Sequence, residues 1–172
     1  MNNCILAIEQ IINNAIKAVD SPLKGVKAVY YGDPKIIPQV NFPAITIQPK
    51  GTTYAHRGSR YDQKTHNIEI RLVYNAKSFF DKNPTKPNKV FALEDAISRV
   101  EGLVTGSKET SDNTIAGLIR KNPSLPLTTN GSTKNTAEFA TTTDVVYVEN
   151  VARSFPTFEV IVTINVVVVA DR

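Results

Sequence analysis

Apolar residues recur at intervals of three and four in two stretches of the chain, which is the pattern of an amphipathic helix with one buried face. The two stripes are Ile5, Ile8, Ile12, Ile16 and Val19, and then Val90, Leu93, Ile97, Val100 and Val104. We expect the first helix to end at Ser21-Pro22 and the second to begin after the capping residue Asn88. A third, shorter helical turn is expected over residues 113–120.

Five stretches are predicted as strands, the clearest of them because apolar and polar residues alternate along their length. They are residues 26–31, 42–49, 66–74, 144–151 and 158–169. The second and third are expected to pair as a hairpin across a long connection, residues 50–65. The last strand is apolar along one face, and its other face becomes apolar at Val167 and Val169. This end of the sheet is therefore expected to be buried on both faces or packed against another chain.

The predicted strands are grouped along the chain instead of alternating with helices. That grouping favours an α+β fold, with a mainly antiparallel β-sheet and two or three helices packed on one face. A chain of 172 residues suits a single domain. Residues 121–143 are rich in Thr, Asn and Ser and show neither periodicity, so they are predicted to be a long polar loop or insertion. We expect this segment to become ordered on assembly, because its composition buries little.

Composition narrows the class of protein only slightly. Hydrophobic residues make up 41% and charged residues 21%, which is ordinary for a globular protein, and the net charge of +4 is a mild excess. The one cysteine excludes an intrachain disulfide. The apolar run after Cys4 has no preceding Lys or Arg and is soon interrupted, and no stretch is long enough to span a membrane. We expect a protein made and kept in a cytoplasm, with no membrane partner.

Catalytic and metal-binding patterns find little support in the sequence. Cys4 lies beside the first apolar stripe, which favours a buried thiol over a nucleophile. His56, Asp62 and His66 lie near one another in the chain, but they lack a Cys partner or an i, i+4 pair, so exposed side chains are the default reading. Residues 106–110 lack the upstream glycine of a phosphate-binding loop. We therefore expect no enzyme, no catalytic residue, no metal and no cofactor.

Two basic stretches stand out from this background, residues 50–64 and 77–89. Each has four Lys or Arg against one Asp, which is a local charge of +3, and the first also contains aromatic residues. Basic side chains with aromatics can hold a nucleic-acid backbone, Arg with Tyr also suits a protein interface, and solvated loops remain the third interpretation. The candidate residues for an interface or for a surface facing DNA are Tyr54, Arg57, Arg60, Tyr61 and Lys64.

The order of the predicted elements resembles that of the tail-terminator and related neck proteins of tailed bacteriophages. The similar elements are an N-terminal helix, the Pro-flanked strand 42–49, a polar and basic connection, the alternating strand 66–74, a central helix over 90–104 and the long final strand 158–169. The resemblance implies a ring, usually a hexamer, that sits on the tail tube, stops its polymerisation and joins it to the head connector. It also implies that genome DNA passes through the lumen, and that residues 121–143 are an insertion relative to smaller members.

The leading hypothesis is therefore a structural virion assembly protein located at the neck or tail top. Its partners would be further copies of itself, the tail tube protein, the head connector or other neck proteins, and DNA transiently. Three alternatives stay open: another head–tail joining or tail-completion protein, a small nucleic-acid-binding α+β module, and an enzyme without a local motif. A ring needs two different contact surfaces on each subunit. The apolar end of the final strand and the Pro-edged strand 42–49 are candidates, as is ordinary core packing.

Overall fold

A computed structural model of the chain describes residues 2–57, 61–76, 97–98, 100–104, 114–129, 132–137, 139–150 and 157–171. Within these residues the protein has an α+β fold, with a five-stranded, mostly antiparallel sheet and three helices. The helices are α1 (Asn2–Lys17), α2 (residues 97, 98 and 100–104) and α3 (Ile115–Lys121). The strands are β1 (Ala28–Tyr31), β2 (Ala44–Arg57), β3 (Tyr61–Asn75), β4 (Leu125–Thr129), β5 (Ser132–Ala137), β6 (Phe139–Asn150) and β7 (Thr157–Asp171).

The main sheet has the strand order β1-β2-β3-β7-β6, and β4 and β5 form a separate antiparallel pair. Short β1 runs parallel to β2, while every other neighbouring pair in the main sheet is antiparallel. The predicted pairing of residues 42–49 with 66–74 is confirmed, with Ile45 opposite Leu72 and Ile47 opposite Ile70. The last two strands, β6 and β7, pair with each other and form the other end of the sheet.

The strands of the first hairpin are longer than the sequence predicts, and the long connection over residues 50–65 is wrong. β2 continues to Arg57 and β3 already begins at Tyr61, with a register shift between Pro49 and Gly51. Thr and Tyr fit the pleated surface of a strand, and cross-strand pairs such as Thr53 with Thr65 stabilise it. The segment alternates too little in hydrophobicity for the pattern to reveal this.

The predicted polar loop over residues 121–143 is also wrong across most of its length. It contains the end of α3, the strands β4 and β5, and the first residues of β6. Its Thr residues are β-branched, and such residues favour strands even where the sequence carries no apolar alternation. Leu125 at the start of β4 is fully buried in the main core, so this segment is tied to the body of the fold.

The helices pack on one face of the sheet, as predicted. This face carries even-numbered residues of β3 and β7, and its buried residues include Ile68, Ile70, Leu72, Val160, Val162, Ile164 and Val166. The stripe of α1 is confirmed at Ile5, Ile8 and Ile12, which are almost completely buried. Val19, by contrast, is 78% exposed, because α1 ends at Lys17 and the stripe does not continue past it. Of the second helix, the predicted Val100 and Val104 are buried, whereas Asn88 and Val90 lie outside the described residues.

A smaller apolar cluster covers the opposite face of the sheet near β1. It consists of Ile37, Phe42, Ala44 and Val73, with Ala28 and Tyr30 packed against it. The loop between β1 and β2 supplies Ile37 and Phe42, and Asn41 in that loop donates a hydrogen bond of 2.6 Å from Nδ2 to the hydroxyl of Tyr30. No helix in the described part of the chain is both long and apolar enough to cross a membrane.

Candidate functional site

The core side chains of β2 and β3 stop well before the outer ends of these strands, and four of the candidate residues lie on those outer ends. A helix of 16 residues such as α1 spans about 24 Å, whereas a strand of 15 residues such as β3 spans about 50 Å. We refer to residues 51–57 of β2, 61–67 of β3 and 165–171 of β7, which the register places side by side, as the arm. The core side chains of β2 end at Ile47, while Tyr54 is 69% exposed.

Tyr54 and Lys64 are brought together across the arm. They are direct partners in the β2–β3 register, and the ammonium nitrogen of Lys64 lies 5.7 Å from the centroid of the Tyr54 ring. A cation over an aromatic ring is attracted by the ring quadrupole. The contact restrains the exposed ring. It also engages the Lys64 ammonium in an interaction within the subunit.

Two histidines on the same face of the arm also have cross-strand partners. His56 lies opposite Asp62, with 2.7 Å between Nδ1 and Oδ1, and His66 lies opposite Thr52, with 2.8 Å between Nδ1 and the Thr52 hydroxyl. Burial lowers the pKa of His66 below its ordinary value of 6.5. Where the structure describes it, the first basic stretch is therefore a strand surface of paired side chains and not a solvated loop.

For the remaining candidate residues, the structure gives the backbone register at most. Arg57 lies opposite Tyr61 in the backbone register, at the outer end of the arm. Arg60 lies outside the described residues, as does the second basic stretch over residues 77–89.

The structure also tests the residues considered for chemistry. His56 and Asp62 meet, but His66 pairs with Thr52, and no group of three or more His, Cys, Asp or Glu within the described ranges is placed to hold a metal ion. Cys4 is 1% exposed, and burial raises the pKa of its thiol. The predicted buried thiol is confirmed.

A charged cluster on the opposite face of the sheet was not predicted from the sequence. Arg71 on β3 is its centre, with Nη2 at 3.0 Å from Glu69 Oε2, and with Nη1 at 3.5 Å from Glu159 Oε2 and 3.4 Å from Asp33 Oδ2. Lys50 adds a second cation, 3.2 Å from Glu69. These residues come from four separate parts of the chain. The alternation within each strand predicts a polar face, but it does not predict that these side chains contact one another.

Glu159 is the most unusual member of this cluster, since it is a charged residue with only 1% of its surface exposed. Its second carboxylate oxygen accepts a hydrogen bond of 3.0 Å from the Thr157 hydroxyl. Gln48, with its amide oxygen turned toward Arg71, accepts from Nε at 2.7 Å and from Nη2 at 2.9 Å. The guanidinium and the carboxylates thus satisfy one another where the arm joins the helix-covered part of the sheet.

Both outer edges of the main sheet carry long unpaired stretches in the described part of the chain. β1 pairs only with residues 44–47 of β2, so that no described strand pairs with the outer edge of β2 beyond Ile47. β6 forms the other edge, and its only described strand partner is β7. Unpaired edges offer a row of backbone donors and acceptors to another strand.

The sequence matches no protein-family model and no curated protein. Among solved structures, the chain is similar to one from the "Virion of native gene transfer agent (GTA) particle". The TM-score is 0.47 and the sequence identity 12%, and the superposition covers 92% of each chain. A similarity this loose carries no inference about the role of the present chain.

Proposed function

We propose that the protein is a structural component of a tailed-phage-like virion, a tail terminator or neck protein. In this proposal it forms a ring, a hexamer as the resemblance implies, that caps the tail tube and joins it to the head connector. Genome DNA passes through the lumen. The support is the order of elements, in which an N-terminal helix, a long hairpin, a central helix and a long final strand follow one another.

The observation that carries the proposal is the arm. Its strands β2 and β3 continue beyond their last core side chains, Ile47 and Ile68, and it presents a row of cross-strand pairs, with Tyr54 largely exposed. A surface whose side chains are already held in place loses less conformational entropy on binding. Tyr and Arg are the residues enriched at protein interfaces. We therefore assign Tyr54, Arg57, Arg60 and Tyr61 to contacts with a neighbouring subunit, the tail tube or DNA.

A nucleic-acid-binding module is the alternative from another class, and the paired charges favour it less. Lys50 forms an ion pair with Glu69, and Lys64 lies over the ring of Tyr54. Tight binding to a phosphate backbone needs several cations that are available to it. A lumen that passes DNA needs only modest positive charge. Another head–tail joining or tail-completion protein would share this surface, and would differ in binding the connector instead of the end of the tube.

The test is whether the protein limits the length of tubes formed by the tail-tube protein of the same phage. We expect shorter tubes carrying a ring at one end in negative-stain images. The variant R57E/R60E should lose this capping, because reversing the charges of two basic candidate residues, one of them at the end of β2, opposes the native contact. The matched control K24E/K27E reverses the same number of charges on exposed residues outside the arm and should cap normally. Normal capping by R57E/R60E would remove the arm from the proposal.

A further inference from the structure

The outer edge of β2 is open and basic where it leaves β1. From Gln48 to Arg57 this strand contains Lys50 and Arg57 and no acidic residue. Thr53, Tyr54 and Ala55 are exposed, and Pro49 with the register shift beside it separates the stretch paired with β1 from the open one. Proline is tolerated there because an edge strand does not need its N–H.

The outer edge of β6 is acidic, and no described strand pairs with it. The strand contains Asp144 and Glu149 and no basic residue. Its Val146 is an apolar side chain left 42% exposed, on the face opposite the helices. Neither Pro nor Lys interrupts this strand, and these residues are among those that natural proteins use to block an edge. On β2 they occur only at Pro49 and Lys50, so residues 51–57 are the part of that edge suited to pairing.

The two edges also have the polarity needed to pair with each other. In the order β2-β3-β7-β6 each strand is antiparallel to the next, so β2 and β6 run in opposite directions. A second copy in the same orientation would therefore bring its β2 antiparallel to the first copy's β6. Because β1 already occupies residues 44–47 of β2, the second copy has to be shifted along the strands, and a shift of about 24 Å places Thr53 opposite Val146. Antiparallel pairing is the commoner arrangement between strands.

We propose that β6 of one copy pairs antiparallel with the open part of β2 of the next copy, so that the sheet continues from subunit to subunit. This inference rests on the proposed ring and names its contact. Charge decides between the pairings that two open edges allow. Lys50 is already paired with Glu69, so Arg57 supplies the positive charge of the open part of β2, while Asp144 and Glu149 make β6 negative. Pairing β6 with β6 would join like charges, whereas pairing β2 with β6 joins unlike ones. The contact is head-to-tail, as a ring requires.

Cysteine cross-linking tests this contact directly. Thr53→Cys places a thiol on β2 and Val146→Cys places one on β6, and both positions are exposed on the same face of the sheet. Cys4 is buried, so the wild-type chain serves as the background control. Each protein is treated with a bismaleimide at the concentration where assemblies form. As a control for non-specific contact, Thr53→Cys is combined with Val19→Cys, a position that is 78% exposed and not on an edge strand.

The proposal predicts a ladder of cross-linked species from the double variant T53C/V146C. A mixture of the two single variants should give dimers, and each single variant alone should give none. Dimers from one single variant alone, or equal cross-linking of T53C/V19C, would overturn the head-to-tail edge contact. So would the absence of cross-links in a folded double variant. Rings without cross-links would leave the proposed function standing, whereas cross-linked assemblies that do not cap tubes would contradict the function and not the contact.

Discussion

At the scale of single residues, Arg71 is the centre of the ion-pair cluster on the face of the sheet opposite the helices. It contacts three carboxylates: Glu69 also binds Lys50, Glu159 is almost fully buried, and Asp33 follows β1. A buried charge is tolerated only when it is paired and hydrogen-bonded, and here a guanidinium and the Thr157 hydroxyl meet that need. Removing Arg71 should therefore cost more stability than its individual contacts contribute, because a buried carboxylate would remain after its cation is lost.

Replacing Arg71 should be costly. We expect Arg71→Met to lower the free energy of unfolding by about 3–5 kcal/mol, because it takes a paired cation away from the buried Glu159 carboxylate. The double variant R71M/E159M should recover much of that loss, since it removes both charges. Lys50→Met, at a partly exposed pair, should cost less than about 1 kcal/mol. Urea unfolding measures all three, and equal losses for Arg71→Met and Lys50→Met would contradict this account.

His66 should make stability depend on pH. Burial lowers its pKa in the folded state below the ordinary 6.5, so the unfolded chain takes up a proton more readily than the folded one. The free energy of unfolding should therefore fall as the pH drops below 6.5 and be unaffected by this residue above it. His66→Gln should flatten that part of the profile in a series of urea titrations. Identical slopes for the variant and the wild type would show that His66 is not the group responsible.

At the scale of elements, α1 is held to the sheet by its buried stripe. Ile8 lies in the middle of that stripe with no exposed surface. Ile8→Ala should cost about 2–5 kcal/mol of stability, because it leaves a cavity between the helix and the strands. Val19→Ala, at the exposed end of the predicted stripe, should change stability by less than about 0.5 kcal/mol. Thermal and urea unfolding of the two variants check this, and similar losses would mean that the helix is not docked as described.

Elements with strong periodicity were predictable from the sequence, and elements without it were not. The stripe of α1 and the alternation of β3 and β7 identify a buried face, and both lie where the pattern places them. The outer part of β2 and the strands β4 and β5 are Thr-rich and polar, so no face stands out along them. Their pairing depends on contacts between distant residues, which spacing along one strand does not encode.

The candidate site divides in the same way. Tyr54 and Lys64 were singled out by charge and aromatic content, and the register brings them face to face. The sequence placed them in a loop, because nothing local showed that the hairpin strands continue through the basic stretch. Arg71 and Glu159, 88 positions apart in the chain, could not have been joined without the order of strands in the sheet.

At the scale of the whole molecule, the buried apolar residues are concentrated in one part of the fold. The helices and the part of the sheet outside the arm contain nearly all of the buried apolar residues, so this part supplies the stability. The arm contributes Val166 to that core and otherwise includes exposed side chains such as Tyr54, which the proposal assigns to contacts. The central claim is that the arm, with the edges of β2 and β6, joins copies of the chain and attaches them to a tail tube.

Native mass by light scattering over a concentration series, with negative-stain images of the largest species, tests that claim most directly. The series is run with the protein alone and with the tail-tube protein of the same phage. We expect a single large species of fixed copy number that images as a closed ring with a central hole, either free or at the end of tubes. A monomer at every concentration, with no ring on the tubes, would contradict the account.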